Sequence, residues 1–203
     1  HGRHADRLET EFEYFADSAP DALALDFRFD LKDQKSTKWT YAEMNERAEK
    51  VKQLLWSLGI GSASSDPEAD HIVALYLEKS PETYLSFIGV LKAGAAWCPI
   101  DTDWPASRRQ ALLAKSNAKV VLTHDDKISE QLQQDLESED AKSKGGMKAI
   151  RLDRLDDELQ KVETPPPAKG ARSIQQLAYM IWTSGTTGLP KGVGIQHLAI
   201  IQA

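Results

Sequence analysis

The chain has 203 residues, of which 41% are hydrophobic, so it is long enough to bury the core of one domain. Its formal net charge of −6, without a cluster of Lys and Arg, excludes a protein that holds nucleic acid by the phosphates. The single cysteine, Cys98, excludes an intrachain disulfide, and no apolar run is long enough for a membrane span. We therefore expect a cytoplasmic protein with neither nucleic acid nor membrane as partner. Because the sequence begins with His1 and not Met, we also expect it to be a piece of a longer protein.

The first predicted elements are a helix, a strand and a second helix. Leu8, Phe12 and Phe15 share one helical face that ends before Pro20, and the apolar run at 22–27 is typical of a strand. Thr40, followed three residues later by Glu43, has the spacing of a capping box. Apolar residues at helical spacing then continue to a glycine stop at position 59, which predicts a long helix.

Apolar strands alternate with helices in the middle of the chain. Strands are predicted at 71–77, 95–100 and 119–124, and helices at 81–93 and 105–116. This alternation requires crossover connections between parallel strands. The predicted fold class is therefore α/β, with a mainly parallel sheet and helices on both faces.

The segment 125–172 is polar. It contains the stretches "QQDLESEDAKSKGGMK" and "TPPPAKG", and it predicts a surface helix, a strand near Ala149 and a stiff linker. Charge runs usually form solvated faces, so we expect this part to be a surface-exposed variable segment.

The last part of the chain predicts a strand that ends near Trp182, a loop, a strand at 193–196 and a helix after His197. The loop reads "TSGTTGLPKG" and combines four hydroxyl side chains, three glycines and one lysine in ten residues. Glycines turn the backbone N–H groups inward, hydroxyls donate hydrogen bonds, and Lys191 adds a compact positive charge, which together suit a polyphosphate. A Walker A loop would need Ser or Thr directly after the lysine, whereas Gly192 follows here, so that kind of NTPase is not supported.

Two sequence blocks carry a resemblance to a known family. "YMIWTSGTTGLPKGV" resembles the phosphate-binding motif of the adenylate-forming superfamily, and "LKAGAAWCPIDTDWPASRRQALL" is similar to the pattern LKAGxAxxPIDxxxPxxR of nonribosomal peptide synthetases. "WTYAEMNERAEKVKQLL" resembles the upstream helix of the same adenylation domains. The resemblance covers nearly the whole chain and is weakest at 125–172. It implies that residues 1–203 are a partial adenylation domain, from the N-terminal part of the large subdomain.

The resemblance implies an ATP-dependent acid–thiol ligase. Such an enzyme joins an amino acid or related carboxylic acid to the α-phosphate of ATP, with Mg²⁺, and passes the acyl group to the phosphopantetheine of a carrier protein. It implies that the residues that bind the β- and γ-phosphates are Thr183, Ser184, Gly185, Thr186, Thr187, Gly188 and Lys191.

The later motifs of the superfamily, including its C-terminal catalytic lysine, cannot be matched before Ala203. We therefore assign no catalytic residue to this chain and expect it to be inactive alone. An acyl- or aryl-CoA ligase, a carboxylate-reductase adenylation domain and a noncatalytic interaction module remain alternatives.

Four further residues have a structural and a functional interpretation. Cys98 is expected to be a packed side chain and not a nucleophile, because no base partner is evident. Lys92 and Asp101 are expected to stabilise the strand–helix framework, although both fall in the resemblance block. His197 follows a short strand close to the loop; a structural position is expected, and a place beside the nucleotide is the alternative. No Cys/His spacing predicts a metal ligand.

Overall fold

The computed structural model describes residues 7–29, 36–138, 146–164, 168, 172–183 and 190–203. The helices are α1 (Leu8–Ser18), α2 (Tyr41–Ser57), α3 (Pro81–Ala93), α4 (Ala106–Ser116), α5 (Asp126–Leu136), α6 (Leu155–Gln160) and α7 (His197–Ile201). The strands are β1 (Leu23–Arg28), β2 (Ser36–Thr40), β3 (Ile72–Leu75), β4 (Ala96–Pro99), β5 (Val120–Thr123), β6 (Lys148–Arg151), β7 (Leu177–Thr183) and β8 (Lys191–Gln196).

The main sheet has six strands in the order β6-β5-β3-β4-β7-β8. All neighbouring strands from β6 to β7 are parallel, and only the β7–β8 pair is antiparallel. The carboxyl ends of β3, β4 and β7 therefore lie at one edge of the sheet. This arrangement confirms the predicted fold class.

Alternate residues of the parallel strands are buried on opposite faces of the sheet. On one face, Val73, Leu75 and Val120 pack with α2, α3 and α6, and on the other, Ala74 and Val121 pack with α4 and α5. Burial on both faces explains why these strands are almost continuously apolar in the sequence.

Helix α2 begins with the predicted capping box. The Thr40 hydroxyl accepts a hydrogen bond from the Glu43 backbone N–H at 3.2 Å, and the Glu43 carboxylate accepts one from the Thr40 N–H at 2.9 Å. The helix then packs closely on α3, because Gly89 leaves no side chain in front of Val51. A Cβ at position 89 would lie 2.6 Å from Val51 Cβ.

A two-stranded antiparallel sheet, β1 and β2, precedes α2, and the sequence predicted only the first of these strands. Strand β2 pairs with β1, with Trp39 opposite Leu25. Its sequence, Ser-Thr-Lys-Trp-Thr, is short and polar, and Trp39 is its buried side chain. The pairing partner, and not the local pattern, determines that this segment is a strand.

The segment 125–172 contributes apolar side chains to both core clusters. Ile128 and Leu132 of α5 are buried on the face that carries α4, and Ile150, Leu152 and Leu155 are buried on the other. In this part the exposed positions are mainly polar ones, such as Glu130 and Gln134. Residues 139–145, 165–167 and 169–171 lie outside the described residues.

Candidate active site

An open cleft of about 810 Å³ lies at the carboxyl edge of the sheet. Its lining comes from the ends of three parallel strands, represented by Leu75, Pro99 and Ile181, together with Phe87 of α3. The turn after β4, residues 101–104, forms a further wall. Ligands of open α/β sheets collect outside the carboxyl ends of the strands, so this is the expected position of a binding site.

The β7–β8 hairpin brings two of the seven predicted phosphate-binding residues together. Thr183 ends β7 and Lys191 begins β8, and the two are directly opposite in the antiparallel pair. The Thr183 hydroxyl donates to the Lys191 carbonyl oxygen at 3.3 Å, and both residues are exposed. The other five, Ser184, Gly185, Thr186, Thr187 and Gly188, lie outside the described residues.

The hairpin adjoins the cleft through a half-buried tryptophan. Trp182, which directly precedes Thr183, lines the cleft. Among the described residues, no carboxylate forms an ion pair with Lys191. A hydroxyl and a lysine ammonium on this end of the hairpin are a donor set that fits phosphate groups.

The charge around the cleft is mixed. Glu78, Asp101 and Asp103 supply carboxylates and Lys79 an ammonium, above a lining that includes Phe87 and other apolar side chains. Within the part of the chain that the structure describes, no group of three or more His, Cys, Asp or Glu side chains is placed to hold a metal ion.

Lys92 and Asp101, which share a sequence block, have different surroundings. The Lys92 ammonium is buried and contacts Glu13 at 2.6 Å, Glu49 at 2.7 Å and Asn45 at 3.0 Å, which confirms the framework role. Asp101 is exposed in the cleft, where one carboxylate oxygen accepts a hydrogen bond from the Asp103 N–H at 2.9 Å. Asp101 lies just after the carboxyl end of β4, and this position in the sequence was the signal that could have placed it in the cleft.

Cys98 of β4 is fully buried on the face of the sheet that carries α4, which confirms the packing interpretation. Burial raises the pKa of its thiol to about 12, although the nearby Trp182 indole opposes this change in part. A thiol with such a pKa remains protonated at neutral pH, so it is unsuited to nucleophilic chemistry.

His197 lies far from Lys191, which agrees with the structural interpretation and not with a place beside the nucleotide. It follows the end of β8 that pairs with Leu177, so it lies at the amino edge of the sheet. The six residues of β8 separate it from Lys191 by about 20 Å at strand spacing.

At that edge the His197 ring is fully buried in a polar cluster. Its Nδ1 accepts from the Leu8 N–H at 3.2 Å, and its Nε2 lies 2.8 Å from Arg7 Nη2. Glu9 is also fully buried and pairs with Arg7 at 2.7 Å and with Arg172 at 2.8 Å. Burial and the two neighbouring guanidinium groups lower the pKa of His197 to about 3.

Comparison with known proteins identifies the family. The sequence profile of the family described as AMP-binding enzyme matches residues 12–203. The chain belongs to this family. Over 201 residues it is 85% identical to a ferrichrome siderophore peptide synthetase of Mycosarcoma maydis, a match that covers 99% of this chain and 5% of that protein.

Two further AMP-binding relatives agree with this assignment. The chain is 39% identical over 202 residues to the nonribosomal peptide synthetase fso1 of Omphalotus olearius, covering 97% of this chain and 4% of that one. The solved structure of the nonribosomal peptide synthetase FmoA3 in its α-methyl-L-serine-AMP bound form has a TM-score of 0.71 and 26% identity, over 97% of this chain and 19% of that one. The chain thus spans no more than 5% of the length of either curated synthetase. None of the described helices is long and apolar enough to cross a bilayer.

Proposed function

We propose that this chain is the N-terminal portion of a peptide-synthetase adenylation domain. The complete protein would activate an amino acid or related carboxylic acid with ATP as an acyl-adenylate, for transfer to the phosphopantetheine thiol of a carrier protein. The observation that carries the proposal is the pairing of Thr183 with Lys191 beside a cleft at the carboxyl edge of the sheet. Membership of the AMP-binding enzyme family supports the use of ATP, and the identity of 85% to a peptide synthetase supports this class over a CoA ligase.

In this reaction a carboxylate oxygen of the acid bonds to the α-phosphorus of ATP, and the bond from that phosphorus to the pyrophosphate oxygen breaks. The negative charge that leaves with pyrophosphate is carried by the β- and γ-phosphates. Lys191 and the Thr183 hydroxyl would neutralise and orient these groups, and Ser184, Gly185, Thr186, Thr187 and Gly188 would add further donors. Fixed donors of this kind stabilise a transition state because they need little reorganisation during the reaction.

Mg²⁺ would be held mainly by the nucleotide phosphates. In phosphate-transfer sites this ion usually takes one or two protein carboxylates in addition to phosphates and waters. Glu78, Asp101 and Asp103 line the cleft and are the carboxylates that could complete its coordination. The ion would supply charge neutralisation of the phosphates.

The proposal assigns substrate binding, and not the complete catalytic apparatus, to residues 1–203. Catalysis also requires the acid to be held in line with the α-phosphate, and holding two reactants in this way is worth about 7–11 kcal/mol in favourable cases. The catalytic lysine that the family supplies from its C-terminal lid has no match in this sequence. We therefore expect no substrate-dependent ATP–pyrophosphate exchange from residues 1–203 alone.

The test is ATP–pyrophosphate exchange by the longer protein that contains this chain, assayed with a panel of amino and aryl acids. Lys191→Ala should raise the KM for ATP or slow adenylation at least about tenfold, which corresponds to about 1.4 kcal/mol. Lys115→Ala is a matched control, because Lys115 is an exposed lysine near the end of α4, which returns the chain to the opposite edge of the sheet.

Equal exchange rates in Lys191→Ala and Lys115→Ala would contradict the role of the loop. The acceptor is tested separately: acyl transfer to a carrier-protein thiol is expected, whereas transfer to free CoA would favour the ligase alternative. Robust exchange by residues 1–203 alone would contradict the proposal that this part of the domain binds substrate but lacks the complete catalytic apparatus.

A further inference from the structure

Asp135, near the end of α5, is a buried carboxylate surrounded by donors. Its side chain accepts from the Tyr76 hydroxyl at 2.7 Å and from Arg109 Nε at 2.7 Å, both at Oδ2. The Gln110 amide donates to Oδ1 at 3.3 Å. Asp135 is 1% exposed, and a buried charge of this kind is tolerated only when it is paired and hydrogen-bonded.

The arginine of this pair has a second set of contacts. Arg109 Nη1 donates to the backbone carbonyl oxygen of Trp104 and, at 3.5 Å, to that of Thr102. The Gln131 amide donates to the same Thr102 oxygen at 2.9 Å. Side chains from α4 and α5 therefore hold two backbone carbonyls of the turn at 101–104.

This turn is a wall of the cleft. Thr102, Asp103 and Trp104 line it. The Arg108 guanidinium stacks over the Trp104 ring, with its Cζ 4.2 Å from the centroid of that ring. The Asp135 carboxylate orients the Arg109 side chain. Arg109 in turn holds the backbone carbonyls of Thr102 and Trp104. The position of this backbone determines how the Trp104 ring faces the cleft.

We propose that Asp135 is a positioning residue for the ligand cleft. It acts through Arg109, which couples α5 to the turn at 101–104, and it does not contact the ligand itself. An apolar side chain could fill the same space, and replacing a buried ion pair by apolar groups is often neutral or stabilising. A planar guanidinium held by a carboxylate instead provides a fixed geometry for the cleft wall. The inference rests on the proposed function in one respect, that the ligand of the cleft is the acid or the ATP of adenylation.

The kinetic test uses Asp135→Asn in the longer protein that contains this chain. This variant keeps the size of the side chain but removes the charge that orients Arg109. The KM for the acid or for ATP is expected to rise at least about fivefold while kcat changes by less than about twofold, because ligand placement and not the chemical step is affected. Asp126→Asn is the matched control, since Asp126 lies on the same helix and pairs with Arg151 and Arg154 at the surface.

A second variant covers the possibility that Asp135→Asn does not fold. Arg109→Lys keeps a positive charge beside Asp135 but cannot span the carboxylate and the two carbonyls, so the same rise in KM is expected. Unchanged KM values for both substrates in a folded variant would overturn the proposal.

An optical measurement tests the position of the wall without any activity. Acrylamide quenching of Trp104 fluorescence, obtained by subtracting the signal of the matching Trp104→Phe variant, should increase in Asp135→Asn and remain unchanged in Asp126→Asn. Equal quenching in the two would overturn the positioning role. If the unmodified longer protein shows no exchange with any acid, the proposed function fails, and the quenching result still decides whether Asp135 positions the wall.

Discussion

Acidification should destabilise this protein through His197, and the size of the effect follows from the burial of the ring. The folded state holds the pKa of His197 at about 3, whereas an unfolded chain restores the usual value of about 6.5. Between these two values the unfolded chain binds a proton that the folded protein does not bind. Stability is therefore greatest above the unfolded pKa and falls as the pH falls toward the folded one.

The magnitude can be worked out by linkage. Relative to neutral pH, the free energy of unfolding should decrease by about 1 kcal/mol at about pH 5.5 and by about 2 to 3 kcal/mol at about pH 4.5 from this one group. Glu9 lies 3.8 Å from the ring, but its carboxylate is already paired with Arg7 and Arg172. The two guanidinium groups therefore outweigh it in disfavouring the imidazolium.

The assay is urea unfolding at several pH values, compared between the unmodified chain and His197→Asn. The asparagine oxygen can still accept from the Leu8 N–H, but the side chain takes no proton in this range. The difference in stability between the two proteins should shrink as the pH falls, even if His197→Asn is less stable at neutral pH. Parallel pH profiles would refute the reasoning, because they would show that the acid loss comes from carboxylates shared by both proteins.

Two further predictions concern packing. Gly89→Ala should destabilise the chain by at least about 1 kcal/mol, because the contact with Val51 outweighs the gain of about 1 kcal/mol in helix propensity. In a Val51→Ala background it should still be destabilising, but by less, because alanine removes the Cγ1 contact and keeps the Cβ that lies 2.6 Å away. Urea unfolding of the four-member cycle measures both values, and a stabilising Gly89→Ala in the unmodified chain would contradict the close helix contact. Cys98 should react slowly with a thiol reagent until urea unfolds the chain, and Cys98→Ala should leave activity of the longer protein intact. Rapid labelling of the folded protein together with loss of activity would contradict the buried thiol.

The parts of the fold that the sequence predicted are those in which local and tertiary signals agree. Helix α3 spans Pro81–Ala93 as predicted, because a proline begins it and a left-handed glycine follows it. The capping box of Thr40 and Glu43 likewise needs only neighbouring residues. Strand β2 was missed because its pairing with β1, and not its own polar sequence, makes it a strand.

The candidate site was predicted only where it is contiguous in the sequence. The loop at 183–192 is recognisable from its composition, whereas the cleft combines Leu75, Phe87, Trp104 and Ile181 from separate elements. Asp135 was overlooked because a carboxylate in a polar helix is usually exposed. One signal could have revealed it: Ile128, Leu132 and Asp135 share a helical face, so the carboxylate had to be buried with the two apolar residues.

The position of His197 could also have been inferred from the length of β8. A strand of six residues crosses the whole sheet, so when its first residue adjoins the loop at the carboxyl end of β7, its last residue lies at the amino end. The topology therefore separates two polar clusters, one around His197 beneath the hairpin and one around Asp135 beside the cleft. Since the clusters share no residue, their substitutions should be nearly additive in stability. Among the described residues, the Asp135 cluster contacts a wall of the cleft through Arg109, and the His197 cluster does not. Substitutions in the Asp135 cluster should therefore weaken ligand binding, and those that increase the quenching of Trp104 most should raise KM most. Substitutions in the His197 cluster should leave KM unchanged.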